Sequence, residues 1–460
     1  MAPSRNSSPL AGFLPYTILI AVLTLLSVVA QLVLTRVPEI GYHIDFQIFV
    51  IGAVLFIGYY INRIAPKTII PSFVWAIFAG LAIQPFLGFL TADMGLLKVV
   101  MEVFAAIILF QGGIEISFKT FRKWFFPIIS LSVIGVVISA VFFGAVLYFV
   151  LQIFMPVSAA LVASIVVVSA ALASTDPAAL LPTFERMRFR RQNVRDVAIA
   201  ESELSDITGS IFTQTLLLAL ITVGAANYTS IFAYFLPVVQ KSTYDSLALL
   251  IVSGIIVGYL GYRIIRSFYY HPSDSEKQGD PALLLAVPIF TYSLGTVLGG
   301  AGFFAAFVAG LLTDEIGGLK KVSYFYESLI SHMIKPFIFI VLGALIPLPI
   351  LIAYAPVGII AALLFMFLIR PLAVFVSLAP WLFKHQFTLK DVLFLSFIRE
   401  TGIIPAVLII IASAYDVIQS DFAISVGMWV ILMTLIVEPP LTPYVARKLG
   451  IGTLRKDTGE

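Results

Sequence analysis

The chain has 460 residues, of which 60% are hydrophobic and 12% are charged, and its mean hydropathy is +1.05. Soluble globular domains average roughly a quarter charged residues, so this composition excludes a water-soluble fold and indicates a membrane protein. The net charge of +3 gives no electrostatic support to nucleic-acid binding. The absence of cysteine excludes disulfides, thiolate catalysis and Cys-ligated zinc, and the four histidines are scattered along the chain.

Apolar segments recur along the whole chain. A transmembrane helix needs roughly 20 mostly apolar residues. About fourteen segments qualify as candidate spans, namely residues 13–35, 47–62, 69–89, 94–117, 126–154, 157–185, 194–224, 246–270, 282–298, 301–315, 324–348, 353–381, 388–414 and 421–447. The first is longer than the roughly 7–15 apolar residues of a signal peptide, so we predict a retained span. Residues 230–240 are apolar but too short, and are predicted to form a loop or re-entrant piece.

Basic residues fall on alternate loops between these spans. With both termini placed in the cytoplasm, the inner loops hold most of the arginines and lysines, including Arg186, Arg188, Arg190 and Arg191 between the sixth and seventh spans. The outer loops hold mainly aspartates. This alternation is what the positive-inside rule requires. One missed or additional span in the middle of the chain would break it.

Two groups of six spans share the same layout. Setting aside the first and the eighth span leaves residues 47–224 and 282–447, linked by 225–281. The fifth span of each group contains a polar, helix-breaking interruption, Ser174-Thr175-Asp176-Pro177 in the first group and Arg399-Glu400-Thr401-Gly402 in the second. The groups are offset by seven spans, an odd number, so they cross the membrane in opposite directions. Paired interrupted spans in inverted halves are typical of transporters with a mid-membrane site.

These patterns predict the fold class. We expect an all-α polytopic membrane protein of about 13–14 transmembrane helices, with two inverted six-helix repeats and two crossing discontinuous helices. Residues 1–46 are expected to form an additional helix and loop, 47–447 the transmembrane transporter domain, and 448–460 a short cytoplasmic tail. Such a tail is too short for a soluble regulatory domain.

The richest polar cluster lies in the seventh span, at Glu201-Ser202-Glu203-Leu204-Ser205-Asp206. Ionisable residues inside a membrane are costly and usually functional. On a helix turning about 100° per residue, Ser202 and Asp206 share a face, whereas Glu201 points away. Oxygen ligands suit a hard cation, and a carboxylate partly withheld from water binds a proton more readily. Asp206 is therefore the leading candidate for a site that holds either a cation or a proton. Glu201 fits the competing interpretation better, that of a carboxylate near the membrane surface.

The first interruption offers further ligands. Pro177 cannot continue helical hydrogen bonding, so carbonyl groups near Thr175 are available for a cation, and the half-helix ends add dipole charge. Asp176 is expected to offset the N-terminal dipole of the half-helix that follows its own break. An ordinary proline kink close to a loop is the alternative interpretation.

Two further groups of charges lie inside apolar runs. Arg370 stands within 365–376, where an unpaired guanidinium is expensive, so we expect a carboxylate partner. Glu201 is the predicted partner in a structural ion pair, and snorkelling of Arg370 towards an interface is the alternative. Arg399 and Glu400 flank the second break, where their charges are expected to neutralise helix ends.

The combination of motifs resembles the monovalent cation/proton antiporter superfamily, and within it the sodium/proton exchanger branch. The resemblance covers about residues 47–447 and is carried by Thr175-Asp176-Pro177, Glu201-Ser202-x-x-Ser205-Asp206, Leu109-Phe110-Gln111-Gly112-Gly113, Leu298-Gly299-Gly300-Ala301-Gly302-Phe303, Phe307-Val308-Ala309-Gly310 and Arg370-Pro371. It implies a homodimer in which a dimerisation domain supports a mobile core that contains the crossing broken helices. It also implies that Asp206 is the essential cation and proton carboxylate, that Thr175 and Ser202 are ligands, and that Glu201 and Arg370 form a structural pair.

Three positions depart from the family pattern. The usual Asn-Asp pair is Ser205-Asp206, Gln111 stands where a carboxylate is often found, and Glu203 replaces a position that is normally apolar. The predicted cation and proton site, which also includes Asp176, therefore loses one candidate ligand and gains a second candidate titrating group. Ion selectivity and proton stoichiometry are left open by these changes.

The leading functional prediction is secondary active exchange of sodium for protons across the plasma membrane, by alternating access with competition at Asp206. Potassium/proton antiport is the close alternative, because residue types do not fix the size of a cavity. A gated cation efflux channel is less favoured, since it would normally bring a regulatory domain. An enzyme is not expected, because no nucleophile–base arrangement is recognisable. We expect no cofactor besides the transported Na⁺ or K⁺ and H⁺, and no partner besides a second copy of the chain and membrane lipid.

Overall fold

The computed structural model describes residues 9–454, apart from 38, 41–42, 69, 117, 177–179, 181–182, 229, 240, 270–280, 300, 314–319 and 399. The α-helices are α1 Pro9–Arg36, α2 Ile44–Ile64, α3 Ser72–Ile83, α4 Gly88–Ala92, α5 Met94–Glu115, α6 Phe118–Lys123, α7 Phe125–Ile129, α8 Val136–Phe154, α9 Ala159–Ala171, α10 Gln192–Val223, α11 Lys241–Tyr269, α12 Pro281–Val297, α13 Gly302–Thr313, α14 Lys320–Leu329, α15 Lys335–Ala344, α16 Leu348–Ala353, α17 Ala355–Leu364, α18 Arg370–Phe383, α19 Leu389–Phe397, α20 Ile403–Ala412 and α21 Ser420–Leu449. Two short strands, β1 Met187–Phe189 and β2 Gly452–Leu454, pair antiparallel.

Every predicted span overlaps at least one described helix. Within the described residues, ten helices are long and apolar enough to cross a membrane, and four shorter apolar helices have 10–17 residues. Two of the shorter ones, α9 and α20, border the predicted interruptions. The segment predicted as a loop or re-entrant piece contains the 3₁₀ helix Ile231–Val239. The all-α polytopic prediction is thus confirmed.

Three of the described helical spans contain a π-helical turn, at Ser130–Gly135, Ile330–Ile334 and Phe365–Ile369. The second and third turns end directly before Lys335-Pro336 and Arg370-Pro371. Proline has no amide hydrogen to donate to the preceding turn, which is one reason why regular α-helical bonding is interrupted there. Such π-helical turns are frequent at functional sites. The third turn ends directly before Arg370, which is one of the predicted site residues.

The chain divides into two compact units, one of Met1–Leu97 with Ser328–Ala353 and the other of Lys98–Glu327 with Tyr354–Glu460. In the first unit, α3 and α15 pack closely through Gly80 and Gly343. A Cβ atom at Gly80 would overlap the carbonyl oxygen of Ile340, and one at Gly343 would overlap that of Ile77. Small residues where two membrane helices meet allow the helix backbones to approach closely, so that backbone atoms pack directly against each other.

This contact predicts a stability difference between two glycines of the first unit. Gly80→Ala should destabilise the protein by about 1–3 kcal/mol, the usual cost of overpacking, because the obstructing atom belongs to the backbone. Gly52→Ala on α2 is the matched control, since nothing lies within 4 Å of a Cβ built there. Thermal unfolding of both variants in one detergent measures the difference. Equal midpoints would show that the α3–α15 contact is not tight in solution.

In the second unit, α5 and α13 pack through a similar pair of glycines. A Cβ atom at Gly113 would overlap the carbonyl oxygen of Phe307, and one at Gly310 would overlap that of Phe110. As in the first unit, each obstructing carbonyl lies three residues before the partner glycine. Exchanging the two predicted repeats converts the contact between the third and eleventh spans into one between the tenth and fourth. The matched geometry therefore fits two inverted repeats.

The start of α19 is fixed within the second unit by a buried carboxylate. Asp391 is fully buried and accepts hydrogen bonds from the Thr388 backbone N–H at 2.7 Å and from Arg191 Nη1 at 2.7 Å. Thr388 and Asp391 together form a capping box, which satisfies amide groups that a helix leaves open at its start. Arg191 follows β1, so the same contact joins the strand to the half-helix that leads to the second break.

Candidate functional site

All the described site residues predicted from the sequence lie in the second unit. The first break follows α9, which ends at Ala171, and Thr175 and Asp176 are not helical. The second break separates α19 from α20, so the chain is not helical between Phe397 and Ile403. Two predicted residues, Pro177 and Arg399, lie outside the described residues.

The two breaks are bonded to each other through Asp176. Its backbone N–H donates to the carbonyl oxygen of Glu400 at 2.7 Å, and its Oδ2 accepts from the backbone N–H of Ile403 at 2.9 Å. Gly402 permits this approach, because a Cβ atom there would overlap the Asp176 carboxylate. The breaks therefore cross, as the sequence predicts for the discontinuous helices.

The Asp176 carboxylate caps a helix end at the second break. It accepts from the first residue of α20, in the other broken span. The predicted offset of the half-helix after its own break stays a prediction, because residues 177–179 lie outside the described residues. An open N–H at a helix start and the positive end of the helix dipole both attract a carboxylate. Sequence spacing does not show which of two crossing helix ends a side chain reaches.

Hydroxyl groups join the first break to α10. The Thr175 backbone N–H donates to Ser205 Oγ at 3.1 Å, and the two hydroxyl oxygens are 2.8 Å apart. Ser205 Oγ donates its own hydrogen to the carbonyl oxygen of Ser202 at 2.9 Å. A hydroxyl has one hydrogen, so all these bonds are made together only when Thr175 donates to Ser205. Thr175 Oγ1 is left with lone pairs only, which suits a cation ligand and not a donor.

The carboxylate predicted to bind the cation is buried on the same helix. Asp206 is 2% exposed, and it follows Ser205 directly in α10. Ser202, one turn earlier, is completely buried, and its Oγ makes no hydrogen bond to any of the residues that the structure describes. Asp206, Ser202 and Ser205 are thus buried close together on α10, and Ser205 contacts Thr175 in the first break.

Glu203, the unusual acid of this chain, belongs to a second polar group. Its carboxyl group lies close to that of Glu115 and within electrostatic range of Asp206 and Asp176. A Cβ atom at Gly112 would overlap Glu203 Oε2, so this glycine makes room for the carboxyl group on α5. Glu203 and Glu115 therefore form a second group of acids close to the predicted cation site.

Glu115 is a residue near the site that the sequence does not single out. Its four-residue spacing to Lys119 predicts a surface ion pair. In the structure, Gln111 Nε2 donates to Glu115 Oε1 at 2.6 Å, and Glu115 also contacts Glu203; the Lys119 side chain lies outside the described residues. The amide at position 111 was the available signal for this contact. An amide N–H needs a hydrogen-bond acceptor, and Glu115 lies four residues later on the same helix.

The structure brings together Glu201 and Arg370, the two residues that the sequence pairs. The guanidinium donates from Nη1 to Oε1 at 3.2 Å and from Nη2 to Oε2 at 3.1 Å, and both residues are buried. Two parallel bonds fix the guanidinium and carboxylate planes relative to each other. The Glu201 backbone oxygen also accepts from Ser132 Oγ at 3.3 Å. Glu201 thus joins three helical spans and points away from Asp206.

Glu400 occupies the second break with its side chain fully buried. Neither carboxyl oxygen makes a hydrogen bond to any residue in the described ranges. Its backbone oxygen binds Asp176. The predicted neutralisation of helix ends by Glu400 together with Arg399 stays a prediction, since Arg399 is outside those ranges.

This chemistry suits a small hard cation and a proton. Carboxylate and hydroxyl oxygens are the ligands that such cations prefer. The described residues contain no group of three or more His, Asp or Glu side chains arranged to hold a metal ion. The candidate groups include the buried carboxyl groups of Asp206, Asp176 and Glu400 and the hydroxyls of Thr175, Ser202 and Ser205.

Known proteins with similar sequences are cation/proton antiporters. The family model described as sodium/hydrogen exchanger, transmembrane, matches residues 51–448. "Na(+)/H(+) antiporter 1" of Methanocaldococcus jannaschii is 27% identical over 371 residues, which are 78% of this chain and 81% of the relative. "K(+)/H(+) antiporter NhaP" of Alkalimonas amylolytica is 26% identical over 416 residues, 89% of this chain and 67% of the relative.

A solved structure shows the same fold. The sodium proton antiporter MjNhaP1 of Methanocaldococcus jannaschii at pH 8 superposes with a TM-score of 0.71 at 24% sequence identity, covering 88% of this chain and 98% of that chain. The family match extends over nearly all the described helices, including both breaks and the buried carboxylates. The chain belongs to the sodium/hydrogen exchanger family of monovalent cation/proton antiporters.

Proposed function

We propose that the protein exchanges sodium for protons by alternating access, and that the two ions compete for Asp206. The observation that carries this proposal is the burial of Asp206 in α10, directly after Ser205, whose hydroxyl contacts Thr175 in the first break. Thr175 and Ser202 supply neutral oxygen ligands, and Asp206 supplies the negative charge. Ser205 holds Thr175 with its lone pairs available.

Competition follows from the negative charge of Asp206. A buried carboxylate with a bound proton is neutral and no longer attracts a cation, whereas an ionised one needs a counter-charge. With either ion bound, Asp206 is therefore close to neutral, and the site can move across the membrane. With no ion bound, the carboxylate carries an uncompensated buried charge, which makes the movement unfavourable. One cation is then exchanged for each proton that Asp206 carries.

Sodium is our first choice of cation, and potassium is the second candidate. Both are supported by relatives of similar identity, one named a Na(+)/H(+) antiporter and the other a K(+)/H(+) antiporter. Substituting Ser205 for the family's asparagine and Gln111 for a carboxylate alters the donors near the site. Initial exchange rates with lithium, sodium, potassium and rubidium, measured on one proteoliposome preparation, decide between the two cations. A higher rate with potassium than with sodium would make potassium the preferred cation.

The competition predicts a specific pH dependence. On the acid side of the profile, the half-saturating cation concentration should rise about tenfold for each unit of pH decrease, because only the deprotonated fraction binds the cation. The rate at saturating cation should change little. Initial rates over a grid of cation concentration and pH measure both. A half-saturating concentration that does not depend on pH would contradict competition, and a slope well above tenfold would assign a second competing proton to Glu203.

We also propose that the protein is a homodimer in the plasma membrane with both termini in the cytoplasm. The alternation of basic loops supports the orientation, and the family resemblance supports the dimer. Because the chain has no cysteine, single cysteines introduced at Arg188 and Asp93 report the side of each loop. Labelling of both from the same side would contradict the orientation.

A further inference from the structure

The second break has a hydroxyl pair of its own, which no part of the mechanism above uses. Thr401 lies in the break, and Thr434 lies on α21, the helix that follows. The Thr401 backbone N–H donates to Thr434 Oγ1 at 3.4 Å, and the two side-chain oxygens are 2.7 Å apart. Both residues are completely buried. The contact spans 33 residues of sequence and joins two separate helical elements.

This pair makes the same set of hydrogen bonds as Thr175 and Ser205. Thr434 Oγ1 donates its hydrogen to the carbonyl oxygen three residues earlier, that of Ile431, at 3.0 Å. Ser205 donates in the same way to Ser202. Since Thr434 has no second hydrogen to give, Thr401 must donate to it. In each half, a hydroxyl on the following helix therefore accepts both the N–H and the O–H of the threonine in the break.

Thr401 stands between the two backbone groups that bind Asp176. The residue before it, Glu400, supplies the carbonyl oxygen that accepts from the Asp176 N–H. Two residues after it, Ile403 supplies the N–H that donates to the Asp176 carboxylate. A break lacks the repeating hydrogen bonds of a helix, so its shape depends on the few contacts it makes. Anchoring Thr401 therefore fixes both bonds to Asp176 at once.

We propose that Thr434 and Thr401 are positioning residues for cation binding. Thr434 holds the second break in the conformation that makes both hydrogen bonds to Asp176. Asp176 in turn fixes the backbone of the adjacent Thr175, which is a proposed cation ligand. Neither Thr434 nor Thr401 touches the cation in this scheme. The inference rests on the proposed cation site around Asp206 and Thr175, and it adds a distant pair that sets the affinity of that site.

The test is the half-saturating cation concentration of Thr434→Val at a fixed pH. Valine has nearly the same shape but leaves two buried donors of Thr401 without their acceptor. We expect the half-saturating concentration to rise about tenfold, with a smaller change in the saturated rate. Thr434→Ser keeps the hydroxyl and should restore the wild-type value to within about twofold. An unchanged half-saturating concentration in Thr434→Val would overturn the proposal.

Thr442→Val is the matched control on the same helix. Thr442 is also completely buried, but its Oγ1 donates to the Glu438 carbonyl oxygen of its own helix. Its variant should bind the cation as the wild type does, and an equal shift in both variants would reduce the effect of Thr434 to general packing. If Thr434→Val does not fold, Thr401→Val carries the same test. Failure of both to fold, with Thr442→Val folded, would assign the pair a structural role and overturn positioning.

The wild-type protein separates this inference from the proposed function. Absence of cation-driven proton movement in wild-type proteoliposomes defeats the exchange mechanism, whatever the variants do. Normal wild-type exchange with an unaltered Thr434→Val variant defeats only the positioning pair. The double variant Thr401→Val with Thr434→Val should have the same half-saturating cation concentration as either single variant. The effects of two residues that act as one unit do not add.

Discussion

Asp206→Asn should abolish cation-driven proton movement in proteoliposomes while the protein remains folded. Asparagine is nearly the same size but neither binds a proton in this pH range nor carries a charge. For unit charges about 4 Å apart at an effective dielectric constant of about 20, the lost attraction is about 4 kcal/mol. That loss weakens cation binding by about three orders of magnitude. An imposed sodium gradient with a pH-sensitive dye inside the vesicles measures the exchange.

Asp196→Asn is the control for this experiment. Asp196 lies on the same helix, α10, but is partly exposed and pairs at 3.7 Å with Arg195, so the same substitution there should leave exchange intact. Exchange by Asp206→Asn above the level of protein-free vesicles would refute competition at this carboxylate.

Much of the fold could be predicted because the membrane constrains the sequence strongly. A span must be apolar over its whole length, since no water satisfies polar groups in lipid. Interruptions such as Thr175-Asp176 and Glu400-Thr401 are visible for the same reason. The partnership of Glu201 with Arg370 followed from the high cost of an isolated buried charge, which leaves few acceptable partners.

The contacts that could not be predicted involve residues that fit a helix without any partner. Thr434 sits in an apolar run, where a threonine can bond its own helix, and nothing in the sequence connects it to Thr401. Glu115 has a basic residue four positions away, so a local pair was the simpler interpretation. The helix end that Asp176 caps depends on how two breaks cross, which is a property of packing and not of spacing.

Glu201→Gln should greatly reduce the amount of folded protein and its thermal stability. The substitution leaves the Arg370 guanidinium buried without a counter-charge, and breaking a buried ion pair in this way costs about 3–5 kcal/mol. Glu102→Gln is the matched control, because Glu102 pairs with Lys98 at 3.8 Å in a partly exposed position. Exposed pairs contribute only about 0–1 kcal/mol. Thermal unfolding in detergent compares the two, and equal midpoints would show that the buried pair does not stabilise the fold.

Removing both charges separates the structural role of the pair from a role in transport. In Glu201→Gln with Arg370→Met no charge is left buried, and paired replacement of buried ions is often nearly neutral in stability. The double variant should therefore regain most of the lost stability. Because Glu201 lies on the face of α10 that points away from Asp206, we expect the refolded double variant to exchange cations for protons with close to the wild-type pH dependence. A stable double variant without exchange would instead place one of the two charges in the transport cycle.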